Sequence, residues 1–160
     1  VNLAERKRIY LIDYIDLLKH VIREEKVKHP FTIDAMVVLP EHLHAIWTLP
    51  ENDADFSNRW RRIKAGFSKS LPNTERRSAS RESKGERGIW QRRFWEHLIR
   101  DELDYARHVD YIHFNPVKHG QVANVKDWPH SSFHRWVRED RLQENWAGTN
   151  DEHLVFGERY

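Results

Sequence analysis

The sequence predicts an α+β fold with an antiparallel sheet: helix, two-stranded hairpin, helix, strand and a further helix, in that order. Three observations predict it. Apolar residues recur at three and four over Tyr10–Lys28 and again over Ala54–Leu71. Residues that favour extended backbone run from Phe31 to Leu39 and from His42 to Leu49, on either side of a Pro40-Glu41 break. At 160 residues, 39% hydrophobic and 32% charged, the chain can bury a core and keep a polar surface.

Each element has its own reason. Val1–Leu3 reads as the tail of a strand, and because Val1 stands where Met would, a preceding segment is expected. In Tyr10–Lys28 the stripe is Leu11, Tyr14, Ile15, Leu18, Val21 and Ile22. His29-Pro30 ends it, since a residue before proline avoids the helical region. In Ala54–Leu71 the buried stripe is Phe56, Trp60, Ile63, Phe67 and Leu71; Arg62 and Lys69 fall opposite, with Arg59 and Arg61 flanking. Residues 72–88 lack apolar periodicity and are expected to form a basic, mobile loop. A strand is expected within Ile89–Ile99, best placed at Arg93–Leu98. Asp101 is placed to cap a helix running to about Phe114, with Pro116 stopping it and Gly120 helping the turn out. The tail, Gln121–Tyr160, has short apolar pieces around Trp128, Trp136 and Trp146 and reads as irregular packing. With the first strand restored, the order is that of a ferredoxin-like βαββαβ sandwich plus an extra C-terminal helix. One domain over 1–122 and a tail over 123–160 packed on it are expected.

Charge is segregated. From Ser57 to Arg93 there are twelve Lys and Arg against three acids, although the whole chain carries only +2. Such a concentration suits a polyanion, and Trp47, Trp90 and Trp95 are candidates to stack on bases, with core packing as the plainer alternative for each. The absence of cysteine excludes disulfides and thiolate metal sites. No apolar run approaches the ~18 residues of a membrane span. With a polar first turn, a cytoplasmic location and no membrane partner are expected.

Two clusters carry chemistry. In VVLPEHLHAIWTLP, His42 and His44 are two apart, so in a strand both point to one face and Leu43 to the other. Imidazoles roughly 7 Å apart along a strand can converge on one cation. The plainer reading of a bare His-x-His is one histidine capping a loop beside a satisfied surface histidine. In HVDYIHFNPVKHG, Tyr111 and Asn115 are i and i+4 and share a helix face. A phenolate can form covalent intermediates and an amide oxygen suits a hard metal. The plain alternative is a tyrosine with its ring in the core and its hydroxyl in water.

Together with IWQRRFWEHLIRDELDYARHVDYIHFNPVKHG and DWPHSSFHRW, these stretches resemble the REP-associated tyrosine transposases, of the HUH (His-hydrophobic-His) single-strand endonuclease and transposase superfamily. The resemblance covers about Phe31 to Trp146. It implies a single catalytic tyrosine, Tyr111, and a divalent metal, Mg or Mn, held by His42, His44 and Asn115. Related insertion-sequence enzymes look to have Gln at the last position, and Asn is shorter. It implies cleavage and rejoining of single-stranded DNA at repetitive extragenic palindrome hairpins through a 5′-phosphotyrosine. Arg59, Arg62, Lys69, Arg76, Arg77, Arg92, Arg93 and Lys118 are then the expected DNA-facing residues, and a monomer is expected. The competing readings are a hairpin DNA-binding protein that does not cleave, an RNA-binding ferredoxin-like module, and an unrelated metal hydrolase.

Overall fold

A computed structural model describes residues 1–73 and 78–148. Its elements are α1 (Tyr10–Asp13), α2 (Ile15–Lys28), β1 (Thr32–Val38), β2 (Leu43–Thr48), α3 (Phe56–Ser70), α4 (Ala79–Glu82), α5 (Glu102–Lys118), a 3₁₀ turn (Val125–Asp127) and α6 (Phe133–Arg138). The result is a mixed α/β fold with a small antiparallel sheet. The chain divides into two compact units, each assembled from separated segments.

The first unit holds Val1–Thr32, Pro40–His42 and Thr48–Phe94. The helix expected over Tyr10–Lys28 is broken at Tyr14, whose φ of −117° and ψ of 36° leave the helical region. The short first turn is anchored by Leu11 N–H on the Pro40 carbonyl, 3.3 Å away. α2 then packs on α3, with Leu18, Ile22, Trp60, Ile63 and Phe67 all buried. At Gly66 a Cβ would lie 2.9 Å from Val21 Cγ1, so the missing side chain lets the two helices approach. α3 is capped by Asp55, whose carboxylate accepts from Asn58 N–H. The N-terminal residues are extended and paired: Asn2 bridges His42 and Leu3 bridges Trp90, both antiparallel.

Two further expectations are corrected. The basic stretch after α3 is not wholly irregular, since α4 forms within it. Arg87 fastens its far end, donating to the carbonyls of Ser68, Leu71 and Pro72. No strand forms at Arg93–Leu98, and the pairing falls at Trp90 instead. Burial explains the shift. Ile89 and Trp90 are 5% and 8% exposed and have a core to face, whereas Trp95 and Leu98 are 48% and 84% exposed.

The second unit holds Ile33–Leu39, Leu43–Trp47 and the described part of Trp95–Tyr160. Its core joins Ala35, Val37, Leu39 and Ile46 of the hairpin to Val109, Tyr111 and Ile112 of α5 and Trp136 of α6. α5 begins as expected, with Asp101 accepting from Asp104 N–H at 2.8 Å. It does not stop before Pro116 but runs through it to Lys118. Pro116 lacks the N–H that would return to the Ile112 carbonyl, and with so little helix left beyond it the loss bends nothing downstream. The stop is supplied by Gly120 at φ 64°: Gln121 N–H returns to the Pro116 carbonyl and Gly120 N–H to that of Val117. That pair of bonds is a Schellman C-cap.

The segment after α5 is more ordered than expected. Residues 130–132 line the outer edge of β1 through a Val37–Ser131 bridge, Val38 N–H to His130 and Ser132 N–H to Met36. The indoles of Trp128 and Trp136 donate to the carbonyls of Val38 and Asp34. An edge strand that would otherwise expose its polar backbone is thereby covered.

Candidate active site

In β2, Leu43 is fully buried and His44 half-buried. His42, one residue before the strand, is 7% exposed, and its Nδ1 lies 3.0 Å from Glu41 Oε1. A carboxylate on Nδ1 favours the tautomer whose lone pair is on Nε2, the arrangement that orients metal-ligating histidines.

α5 presents the partner groups. The His44 and Tyr111 rings meet edge to face, centroids 5.3 Å apart and planes at 86°. Tyr111 is 5% exposed, and Asn115, one turn later, is completely buried. Two turns after Tyr111 the Lys118 side chain runs back over it. Its Nζ is 4.6 Å from the ring centroid and 3.4 Å from the hydroxyl oxygen. The second unit thus brings His44, Tyr111 and Lys118 together, with Asn115 on the same helix.

His113, between Tyr111 and Asn115 in sequence, takes another face. It is fully buried, its Nε2 is 2.9 Å from Ser132 Oγ, and its ring meets Phe133 and Trp136 edge-on. Burial lowers its pKa to about 4, so it is neutral at ordinary pH.

The expected DNA-facing residues separate on inspection. Arg59 is a correction. It is 3% exposed, forks onto both oxygens of Asp53 at 3.0 and 2.6 Å, and donates to the carbonyls of His29, Pro30 and Asp55. Its guanidinium is spent on joining chain segments. Arg62 is one-third exposed and bonds Glu25 at 2.8 Å. Arg92, half exposed, bonds Glu86 at 2.9 Å. Lys69, Arg93 and Lys118 are exposed. Arg76 and Arg77 lie outside the described residues. Of the stacking candidates, Trp90 is committed to packing, its indole donating to the Lys64 carbonyl and its ring against Phe67.

One cluster escaped the sequence reading. His97, Asp104 and His108 place ligand-type atoms within 4.8 Å of one another and could hold a metal ion. As they stand they form a hydrogen-bonded stack. The Asp104 carboxylate accepts from His97 at 2.8 Å and from Arg100 N–H at 3.0 Å, while His108 Nδ1 donates to the Asp104 backbone carbonyl at 2.8 Å and lies 3.1 Å from the carboxylate. The two imidazoles lie nearly parallel, 10° apart, with centroids at 4.7 Å. A metal sits in the plane of each ring that binds it, so two stacked rings would have to turn to share one. The hydrogen bond from His97 is the main reason the Asp104 carboxyl is held down at about 2. The signal was the i, i+4 pair Asp104/His108 beside a third donor in WEH.

No family model matches the chain. A curated relative from Escherichia coli (strain K12), named "REP-associated tyrosine transposase", is 49% identical over 148 residues, 92% of this chain and 82% of the relative. A second, from Haemophilus influenzae, named "Putative REP-associated tyrosine transposase", is 46% identical over 152 residues, 94% of this chain and 86% of the relative. Among solved structures, one described as a REP-associated tyrosine transposase bound to a REP hairpin superposes with a TM-score of 0.84 at 48% identity. That match covers all of this chain and 88% of the other.

Proposed function

The chain belongs to the REP-associated tyrosine transposase family, and from that premise we propose that it cleaves and rejoins single-stranded DNA at REP hairpins through a phosphotyrosine on Tyr111. The observation that carries the proposal is the contact between the His44 ring and the buried Tyr111 ring, with Asn115 one turn further along the same helix. A phenol held in a packed site next to an imidazole and a cation is placed as a nucleophile would be.

The reaction has few parts. Tyr111 Oη attacks the scissile phosphorus in line with the bond to the upstream nucleotide. The Oη–P bond forms, the P–O3′ bond breaks, and the phenol's proton ends on the departing 3′ oxygen. The downstream strand stays attached through its 5′ phosphate, and attack by a 3′-hydroxyl reverses the step. One phosphodiester is exchanged for another, so no external energy source is needed. The donor set fits a divalent ion, Mg or Mn. Two imidazoles, His42 already oriented by Glu41, and the Asn115 amide oxygen would hold it. When bound, such an ion supplies a Lewis acid that offsets charge on the phosphate.

We read the sheet as ferredoxin-like. Asn2-Leu3 stands for the first strand and Trp90 for the fourth, and the bridges of residues 2 and 3 to His42 and Trp90 fit that order. Exposed Lys69 and Arg93, with Arg62 and Arg92 partly engaged, serve the DNA backbone. The protein acts as a monomer in the cytoplasm, close to the nucleoid.

The test is incubation of the protein with a single-stranded REP hairpin and Mn or Mg, followed by denaturing electrophoresis. A DNA-linked band that chelator abolishes, and that His42→Ala and His44→Ala reduce at least a hundredfold, is expected. Tight hairpin binding without any such band would reassign the chain as a non-cleaving binder. Preference for the RNA hairpin would make it an RNA-binding module.

A further inference from the structure

We infer that Lys118 is a catalytic residue for this chain's strand transfer, holding the negative charge of the phosphoryl group as it moves onto and off Tyr111. The inference rests on Tyr111 being the nucleophile, as proposed above.

The geometry is local to one helix. Tyr111 and Lys118 are seven residues apart, two turns, and so lie on one face. Side chains lean toward the helix N-terminus, which carries the Lys118 stem back over the earlier turn. Its ammonium reaches the phenol in two ways, over the ring at 4.6 Å and to the hydroxyl oxygen at 3.4 Å. The cation–π contact holds the stem in place. The long hydrogen bond aims the charge at the one atom of Tyr111 that reacts.

What happens at that atom favours a fixed cation. Before attack, Tyr111 offers the ammonium a neutral oxygen. During attack, phosphorus bonds to that oxygen and its non-bridging oxygens stand one bond beyond. The partner of Lys118 therefore changes from a neutral hydroxyl to an anionic phosphoryl group without Lys118 moving far. Negative charge on the phosphoryl oxygens peaks in the five-coordinate transition state, so a cation fixed beside them lowers the barrier in both directions. Lys118 keeps its proton and charge throughout, and the exchange of phenol proton and 3′ oxygen is unaltered. This role differs from anchoring DNA. A phosphate anchor binds cleaved and uncleaved strand alike and alters affinity alone.

The position is exposed, so substitution is tolerated by the fold. The experiment measures single-turnover adduct formation by the full chain on a single-stranded REP hairpin, at saturating DNA with Mn. Wild type, Lys118→Gln and Lys118→Arg are compared, and hairpin affinity is measured separately in the Tyr111→Phe background with and without Lys118→Gln. Lys118→Gln is expected to slow adduct formation and rejoining about 10²–10³-fold, to leave affinity within about threefold, and Lys118→Arg to recover most of the rate. Amine-directed acylation read by mass spectrometry gives a measure independent of turnover. Lys118 should react in the Tyr111→Phe complex and be protected in the covalent adduct.

A Lys118→Gln rate within threefold of wild type would reduce the contact to packing and overturn the inference. So would a loss that saturating DNA restores, which is the mark of an anchor. If wild type itself forms no adduct, the nucleophile reading fails and takes this one with it. An adduct on Tyr111 with an indifferent Lys118 overturns the inference alone.

Discussion

Arg59 and Lys69 sit on the same helix with the same charge and opposite fates. Arg59 forks onto Asp53 and satisfies three backbone carbonyls, while Lys69 is exposed. Arg59→Ala should lower unfolding free energy by about 3 kcal/mol, because buried acceptors lose their donor; urea titration checks it. Lys69→Ala should leave stability within about 0.5 kcal/mol while reducing the salt dependence of hairpin binding by about 0.7 in logarithmic slope. The same pair sets an acid limit. The Arg59 guanidinium holds the Asp53 carboxyl down at about 2, below its ordinary 3.8. A carboxyl depressed in the folded state stabilises above its unfolded pKa, and that share is lost as pH falls from about 4 toward 2. Melting temperature should drop across that window in wild type and drop less in Asp53→Asn. Helical periodicity put Arg59 at the flank of the buried stripe of α3. It could not tell a flanking arginine that faces water from one that folds inward, because the deciding partners, Asp53 and the carbonyls of His29 and Pro30, lie in other segments.

At the scale of elements, two glycines make opposite predictions about space. Gly120 has open space around its missing Cβ but sits at φ 64°, so Gly120→Ala should cost about 1 kcal/mol from backbone strain alone. Gly66 has helical backbone, where alanine is worth up to about 1 kcal/mol more, yet its Cβ would meet Val21 Cγ1 at 2.9 Å. Val21 is β-branched and short, with little freedom to withdraw. Gly66→Ala should therefore destabilise by about 1–2 kcal/mol, and Val21→Ala in the same chain should recover part of it; a double-mutant cycle by denaturant reads the coupling. The helices and the hairpin were legible because burial follows their periods. The candidate pairs were legible only as spacings of two and four, which set a shared face within a strand or a helix; the contact of His44 with Tyr111, between two elements, has no such local sign. Pro116 misplaced the end of α5, because a local proline rule ignores the glycine cap beyond it. The strand expected at Arg93–Leu98 followed composition, and the pairing went to Ile89–Trp90, where a core is available.

At the scale of the molecule, the tail is what a linear reading saw least. Trp128, His130, Ser132 and Trp136 bond to β1 across about a hundred positions of sequence, and His113 of α5 bonds Ser132. Such pairings leave no local period. Their consequence is that the tyrosine-bearing helix is held by its own chain, which favours action as a monomer. Light scattering on a size-exclusion column should give the monomer mass with and without hairpin DNA; a stable dimer that cleaves would contradict it. The account as a whole stands on one atom, Tyr111 Oη. The direct measurement is tryptic mapping of the protein–DNA adduct by mass spectrometry, after nuclease trimming. Cleavage after Arg107 and Lys118 releases residues 108–118, in which Tyr111 is the only tyrosine. The account predicts that the nucleotide mass is found on that peptide alone and disappears in Tyr111→Phe. A nucleotide on any other peptide, or an adduct that survives Tyr111→Phe, would contradict it.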